Sequence, residues 1–289
     1  MTIISNIIGG LGNQMFQYAA GYSLSQRTGQ SLKLHLNDYN FINDRKFELE
    51  NVFELKATFA SSSDVKKIIG NKGNLYTRKL LYKLGLSRNI LKEKPYILNK
   101  FFFEVNGPIY LDGYWQNYNY FSKETKRIRE LFTFNCLTNE EKRLFFKNNN
   151  KSSNNNISVH IRKADYVNQD KNVKIFFSLE NKYYMEAFKI MRLKVNNPFF
   201  HIFSDDIEWV KNNIELQNCN FKIVSPSSSV GKDMALMSAC QHHIIANSSF
   251  SWWAAWLNNS IEKVVVSPKK WLNSNKQPNG LNLPSWIHI

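Results

Sequence analysis

His160, Arg162, Lys163 and Asp165 fall together just after a short apolar run over residues 157–161. A guanidinium offers phosphate oxygens a planar fork of donors, an ammonium adds a point charge, and a carboxylate can fix the guanidinium's orientation. Such a set either grips a phosphorylated ligand or forms a surface ion cluster after an ordinary strand. Two further clusters have the same placement. Asp205 and Asp206 follow the apolar run 199–203, and Asn247, Ser248, Ser249 and Phe250 follow the run 243–246. Ser248 and Ser249 stand where a helix begins, so either one caps it or both, with the bare N–H groups, receive a phosphate. The paired aspartates do not suggest a metal site. Neighbours on extended backbone point to opposite sides, and no third ligand accompanies them. His242-His243 is not a metal spacing either, and His243 opens an apolar strand as a core residue.

The elements that must position these groups alternate. Residues 3–8 read as a strand that runs into Gly9, Gly10, Leu11, Gly12 and Asn13; a helix follows over 14–27, ended by Gly29, and then a strand over 31–36. Strand, glycine turn, helix and strand make a βαβ unit. The turn is not a dinucleotide fingerprint, because Met15 stands where the last glycine of G-x-G-x-x-G belongs. It remains a glycine turn at a helix N-terminus, where backbone N–H groups can hold an anion. Past mid-chain, strands over 157–161, 199–203, 221–224, 243–246 and 264–267 alternate with helices over 182–195, 233–240 and 250–257. That alternation predicts a parallel, doubly wound sheet, whose ligands sit outside the carboxyl ends of the strands. All three clusters then meet at one sheet edge, where Asp205 either caps the next helix or accepts hydrogen bonds from a guanine edge or ribose. The run Asn-Asn-Asn-Lys-Ser-Ser-Asn-Asn-Asn over 148–156 cannot bury apolar surface and reads as a linker. It divides the chain into domains over 1–150 and 157–289.

The chain has 289 residues and a formal charge of +15. Residues 66–100 hold ten Lys/Arg and one acid, Glu93, and Leu75, Leu80, Leu81, Leu84 and Leu91 recur there near helical spacing. A basic amphipathic segment is either a membrane-surface patch or a solvated helix with one buried face. Cys136, Cys219 and Cys240 are far apart and odd in number, as for free thiols in a reducing compartment. The N-terminus lacks the basic and apolar regions of a signal peptide, and no run is long enough to span a membrane. The expectation is a cytoplasmic protein, peripheral at most. The stretch YLDGYWQNYNYF over 110–121 packs six aromatic residues into twelve. Most of these rings are expected in the core, although aromatic faces also bind sugars and nucleobases.

Taken in order, GGLGNQMFQYAAGYSLS, LDGYWQNYNYF, HIRKADYVN, FSDD and DMALMSACQHHIIANSSFSWWAAWLN resemble the bacterial α-1,2-fucosyltransferases of the GT11 type. The resemblance spans both halves. It implies an α/β, GT-B-like fold with two Rossmann-like domains whose parallel sheets face across a cleft. It also implies inverting transfer of L-fucose from GDP-β-L-fucose to the 2-hydroxyl of a terminal β-galactose, in surface-glycan or O-antigen synthesis, without metal or other cofactor. In the wider fucosyltransferase group an H-x-R-R-x-D motif holds the donor diphosphate. Here it is His160, Arg162, Lys163 and Asp165, and the lysine, lacking a fork, concentrates the role on Arg162. The same resemblance assigns catalysis to Arg162, His160, Asp165 and Asn13. It gives GDP-fucose contacts to Gly10, Gly12, Asn13, His160, Arg162, Asp205, Asp206, Asp233, Ser248, Ser249 and Phe250, and acceptor contacts to Tyr114, Trp115 and Gln116. It does not identify the base; His160 and Asp165 are the nearest candidates, and both could instead orient Arg162.

Charge alone would also permit a nucleic-acid-binding protein, but the charge is concentrated in one segment without a recognised binding motif, so no nucleic-acid partner is expected. Within enzymes the rival is a fucosyltransferase of different linkage or another GDP-sugar transferase, and a nucleotide-sugar-binding regulator that has lost catalysis is the third class. The basic segment carries its own test. Each basic residue near an anionic surface contributes on the order of 1 kcal/mol. The protein should sediment with anionic liposomes at low salt and be released at high salt; equal sedimentation with neutral liposomes would leave the segment a solvated helix.

Overall fold

In a computed structural model of the chain, residues 1–36, 46–70, 89–93, 97–147, 155–163, 175–214, 219–227 and 229–289 are described. Asp165 and most of the basic segment, including Leu75, Leu80, Leu81 and Leu84, lie outside them. Among the described residues no helix is long and apolar enough to cross a membrane. The chain forms two compact units. The first comprises Met1–Thr133 with Pro278–Leu281, and the second Phe134–Gln277 with Asn282–Ile289.

The first unit holds strands β1 (Thr2–Asn6), β2 (Ser31–His35), β3 (Ile90–Lys92) and β4 (Ile109–Asp112) in the order β2-β1-β4-β3, parallel throughout. Helix α1 (Leu11–Thr28) joins β1 to β2 and is capped at its C-terminus by Gly29, as the sequence predicts. The described residues of the unit also form helices α2 (Leu49–Val52), α3 (Ser62–Ile69) and α4 (Thr125–Leu131) and short 3-10 turns. Gln17 ties α1 to the sheet: its Oε1 accepts from the Ile8 N–H at 3.0 Å and its Nε2 donates to the Gly113 carbonyl at 3.1 Å. Most of the aromatic run does enter the core. Tyr110, Trp115, Tyr120 and Phe121 are buried, and Trp115 packs between Phe102 and Tyr120.

The second unit holds β5 (Asn156–Ile161), β6 (Phe199–Ser204), β7 (Asn220–Ile223), β8 (His242–Ile244), β9 (Val265–Ser267) and β10 (Ile287–His288). Their order is β10-β9-β8-β5-β6-β7, again all parallel. Read from β7, this is the doubly wound dinucleotide-fold order, in which the chain reverses direction between its first and fourth strands, here β5 and β8. Helix α5 (Asn139–Lys147) precedes the sheet, and α6 (Asn181–Lys194), α7 (Ile207–Asn213), α8 (Val230–Ser238) and α9 (Ser249–Leu257) connect its strands. Ile157, Val159 and Ile161 pack with Phe188, Met191, Phe200 and Ile202 in one apolar cluster; each such side chain contributes roughly 1.5–3 kcal/mol on burial. Helix α9 is apolar apart from Ser249 and Ser251, and Trp252, Trp253 and Trp256 are buried, as an internal helix requires.

The division between units differs from the sequence expectation of domains over 1–150 and 157–289. Helix α5 belongs to the second unit because Phe145 packs on His201 at 4.8 Å and Glu141 pairs with Lys232 at 2.6 Å. The polar run over 148–154 lies outside the described residues. Residues 278–281 return to the first unit, a long-range excursion with no local signature.

Gly9 adopts φ +81°, and a Cβ built there would lie 2.7 Å from the Asn13 Nδ2. Gly9→Ala should therefore lose about 1–2 kcal/mol of stability in a denaturant titration, the cost of a left-handed residue. An unchanged midpoint would show that the turn relaxes freely.

Candidate functional site

The carboxyl ends of β5, β6 and β8 deliver the three clusters to one edge of the second sheet. Pairing brings Ile161 opposite Ser204, and Val159 opposite Ile244. The ring of His160 lies 5.7 Å from that of Phe250, so the β5 terminus and the first turn of α9 are in contact. Asp205 Oδ1 accepts the Lys163 N–H at 2.7 Å, joining the β6 terminus to the same segment. Ser248 is the N-cap of α9, its Oγ accepting from the Phe250 N–H at 3.3 Å, while Ser249 and Phe250 are partly exposed. The helix therefore starts at the switch point, with its first N–H groups and positive dipole end at the sheet edge.

Within this edge the charges divide sharply. His160 is buried, and that burial, with Arg162 nearby, lowers its pKa to about 3. It is a neutral imidazole at neutral pH, and its buried Nδ1 has no hydrogen-bond partner among the described residues. Lys163 is buried too; its ammonium hydrogen-bonds the Leu179 carbonyl and lies 4.0 Å above the Trp209 ring. Burial lowers its pKa, opposed by Glu180, Asp205 and Asp206. Lys163 is thus a tether between the β5 terminus and the segment before α6. Arg162, which lies between them in sequence, is half-buried at the carboxyl end of β5.

The aspartates separate similarly. Asp206, rather than Asp205, caps α7, its Oδ1 accepting from the Trp209 N–H at 2.8 Å. Asp205 is exposed and holds the Lys163 backbone. Asp233 lies in the first turn of α8 and accepts from the Ser227 N–H at 3.2 Å; burial raises its pKa, and the Ser227 hydrogen bonds oppose the shift. Asn247 is a clamp, donating to the carbonyls of Phe177 at 2.7 Å and Trp271 at 3.0 Å. Among the described residues no group of three His, Cys, Asp or Glu could hold a metal ion. His243 is the core residue the sequence suggests: Ser158 Oγ lies 2.8 Å from its Nδ1 and Asn258 Nδ2 2.7 Å from its Nε2. This Ser–His–Asn set is buried and belongs to the core.

In the first unit, Gly10 is the N-cap of α1, and Gly12 and Asn13 sit in its first turn. Asn13 Oδ1 accepts from Gln116 Nε2 at 2.7 Å, joining the turn after β1 to that after β4, its sheet neighbour. Tyr114 is 41% exposed, whereas Trp115 is fully buried and cannot touch an acceptor without unpacking, which corrects its expected placement. Gln14, which ends the family-like Gly10-x-Gly12-Asn13-Gln14 turn, and Gln17, which the sequence does not single out, both hold backbone. Gln14 Nε2 donates to the carbonyls of Gly9 at 3.1 Å and Lys46 at 3.0 Å, bracing the glycine turn from behind. Their i, i+3 spacing puts both on one helix face, which was the available signal.

Comparison with known proteins now adds lineage to this geometry. The alpha-1,2-colitosyltransferase of Escherichia coli is 35% identical over 99% of this chain and 98% of its own length. The O-antigen biosynthesis glycosyltransferase WbnK, also of Escherichia coli, is 34% identical over 99% of each. Galactoside alpha-(1,2)-fucosyltransferase 2 of Hylobates lar is 23% identical over 98% of this chain and 78% of that protein. Among solved structures, NodZ alpha-1,6-fucosyltransferase soaked with GDP-fucose gives a TM-score of 0.51 at 17% identity, covering 89% of this chain and 92% of that one. That likeness establishes a shared GT-B-like α/β fold and no more. Glycosyl transferase family 11 matches residues 75–289. With whole-length relatives above 30% identity, this chain belongs to glycosyl transferase family 11.

Proposed function

We propose that this enzyme transfers L-fucose, with inversion, from GDP-β-L-fucose to the 2-hydroxyl of a galactose-containing surface glycan. The observation that carries the reading is the convergence at the β5/β8 switch point, where Arg162 and the N-terminus of α9 reach one sheet edge beside Phe250 and His160. Breaking the bond from fucose to the nucleotide leaves negative charge on the β-phosphate. A guanidinium fork and helix N–H groups set out before the reaction stabilise that charge without reorganising. His160, neutral and buried, cannot add a positive charge at neutral pH, and it serves to shape the pocket beside Arg162. These groups do the work that a divalent ion does elsewhere, so the reaction proceeds without metal.

A second donor has specific support. L-colitose is L-fucose without its 3-hydroxyl, and a relative named for colitosyl transfer covers nearly the whole chain. Both donors would present the same diphosphate to Arg162, so the choice between them lies in contacts to one sugar hydroxyl.

Three outcomes are expected. With GDP-fucose and a β-galactoside, NMR of the product should show a new α-anomeric signal and a shifted galactose 2-position, in the presence of EDTA. A β-fucoside, a different position, or loss of activity restored by manganese would refute the corresponding part, and exclusive use of GDP-colitose would reassign the donor. Arg162→Ala should fold normally yet lose about a hundredfold or more in rate, roughly 3 kcal/mol of transition-state stabilisation, and Arg162→Lys should not rescue it. Lys163→Ala should instead lower stability by roughly 1–3 kcal/mol, with a smaller effect on turnover. The reverse pattern would exchange the two roles.

A further inference from the structure

Glu93 immediately follows β3, and its N–H donates to the Asp112 carbonyl at 3.0 Å, extending the β3–β4 ladder by one step. Its carboxylate then turns back over the end of β4. Oε2 accepts two backbone N–H groups, of Tyr114 at 2.8 Å and Trp115 at 2.7 Å, and the Gln116 N–H is also directed to the carboxylate. Successive N–H groups converging on one anion make a nest. The conformation is special: Trp115 has φ +55°, and a Cβ at Gly113 would lie 2.4 Å from the Glu93 Cβ. The turn is therefore wrapped around this side chain.

The wrapping reaches the glycine turn. Gln116, the last residue of the nest, donates to Asn13 Oδ1 at 2.7 Å, and Gln17 donates to the Gly113 carbonyl at 3.1 Å. With Oδ1 committed to Gln116, the Asn13 amide presents its NH2 end over Gly9, toward which Nδ2 leans. Burial raises the Glu93 pKa to about 7, against three backbone hydrogen bonds that favour the anion. A turn needing only an acceptor could use a neutral one; here a carboxylate stands where burial opposes its charge.

We infer that Glu93 is a positioning residue for sugar transfer: it organises the Tyr114–Trp115–Gln116 turn and, through Gln116, fixes the amide of Asn13 at the glycine turn. The inference rests on the transferase reading above. Glutamine at 93 would keep one acceptor oxygen but bring an NH2 group against backbone donors, whereas aspartate keeps the charge on a shorter stem.

The test combines kinetics with amide exchange in the full-length protein. Glu93→Gln should lower kcat tenfold or more with the donor KM within threefold of wild type, and Glu93→Asp should recover part of the loss. Gln116→Ala should show a similar loss, and the double variant should be no worse than the poorer single one, because both act through one linkage. Hydrogen exchange over residues 113–117 should be faster in Glu93→Gln while the melting temperature changes little. A wild-type kcat in Glu93→Gln, losses that add in the double variant, or exchange unchanged at 114–116 would overturn the inference. A wild-type protein inactive with both GDP-fucose and GDP-colitose would instead sink the transferase reading. The exchange measurement would still decide whether Glu93 organises the turn.

Discussion

Strand β5 pairs with β6 on one side and β8 on the other, and the rest of the second unit depends on that double pairing. A strand hydrogen-bonded along both edges and covered on both faces must bury every side chain: Ile157, Val159 and Ile161 enter the apolar cluster, and Asn156 and Ser158 pair with His201 and His243. The same placement leaves its carboxyl end as the one point where connections leave the sheet in opposite directions. A crevice opens there whatever the side chains are. His160 to Lys163 occupy that exit, and the β8–α9 turn supplies the facing wall through Phe250.

Burial then sorts the polar groups. A charge withdrawn from water must be paired, neutralised or tethered. His160 is neutralised, Lys163 is tethered to the Leu179 carbonyl and the Trp209 ring, and Asp206 is occupied at a helix N-terminus. A cluster that looks uniformly chemical in the sequence becomes a division of labour, in which Lys163, Asp205 and Asp206 hold backbone groups. The first unit follows the same logic with opposite sign. There the half-buried Glu93 carboxylate is held by backbone N–H groups, and the amides of Gln14 and Gln17 knit the turns together.

Much of this was legible in the chain itself. Hydrophobic periodicity and glycine punctuation located the first βαβ unit and the alternating strands and helices of the second half, to within a few residues, because local backbone preference and a burial pattern agree there. The parallel, doubly wound class followed from that alternation, and so did the meeting of His160, Asp205 and Phe250 at one sheet edge. The core fate of most rings in 110–121 and of His243 was readable from apolar context alone.

Tertiary structure decided what depends on partners distant in sequence. The return of residues 278–281 to the first unit and the two-residue strand β10 carry no periodicity of their own. Helix α5 joined the second unit through Phe145 and Glu141, contacts that no local pattern encodes. That Lys163 turns inward, that Asp206 rather than Asp205 caps α7, and that Trp115 is core while its neighbour Tyr114 is exposed are outcomes of side-chain direction. Glu93 was visible only as the single acid in a basic stretch. Its importance lies in three backbone N–H groups more than twenty residues away, brought to it by the pairing of β3 with β4. Residue type and spacing specify the elements, but the direction in which a polar side chain can discharge its hydrogen bonds exists only once those elements are packed.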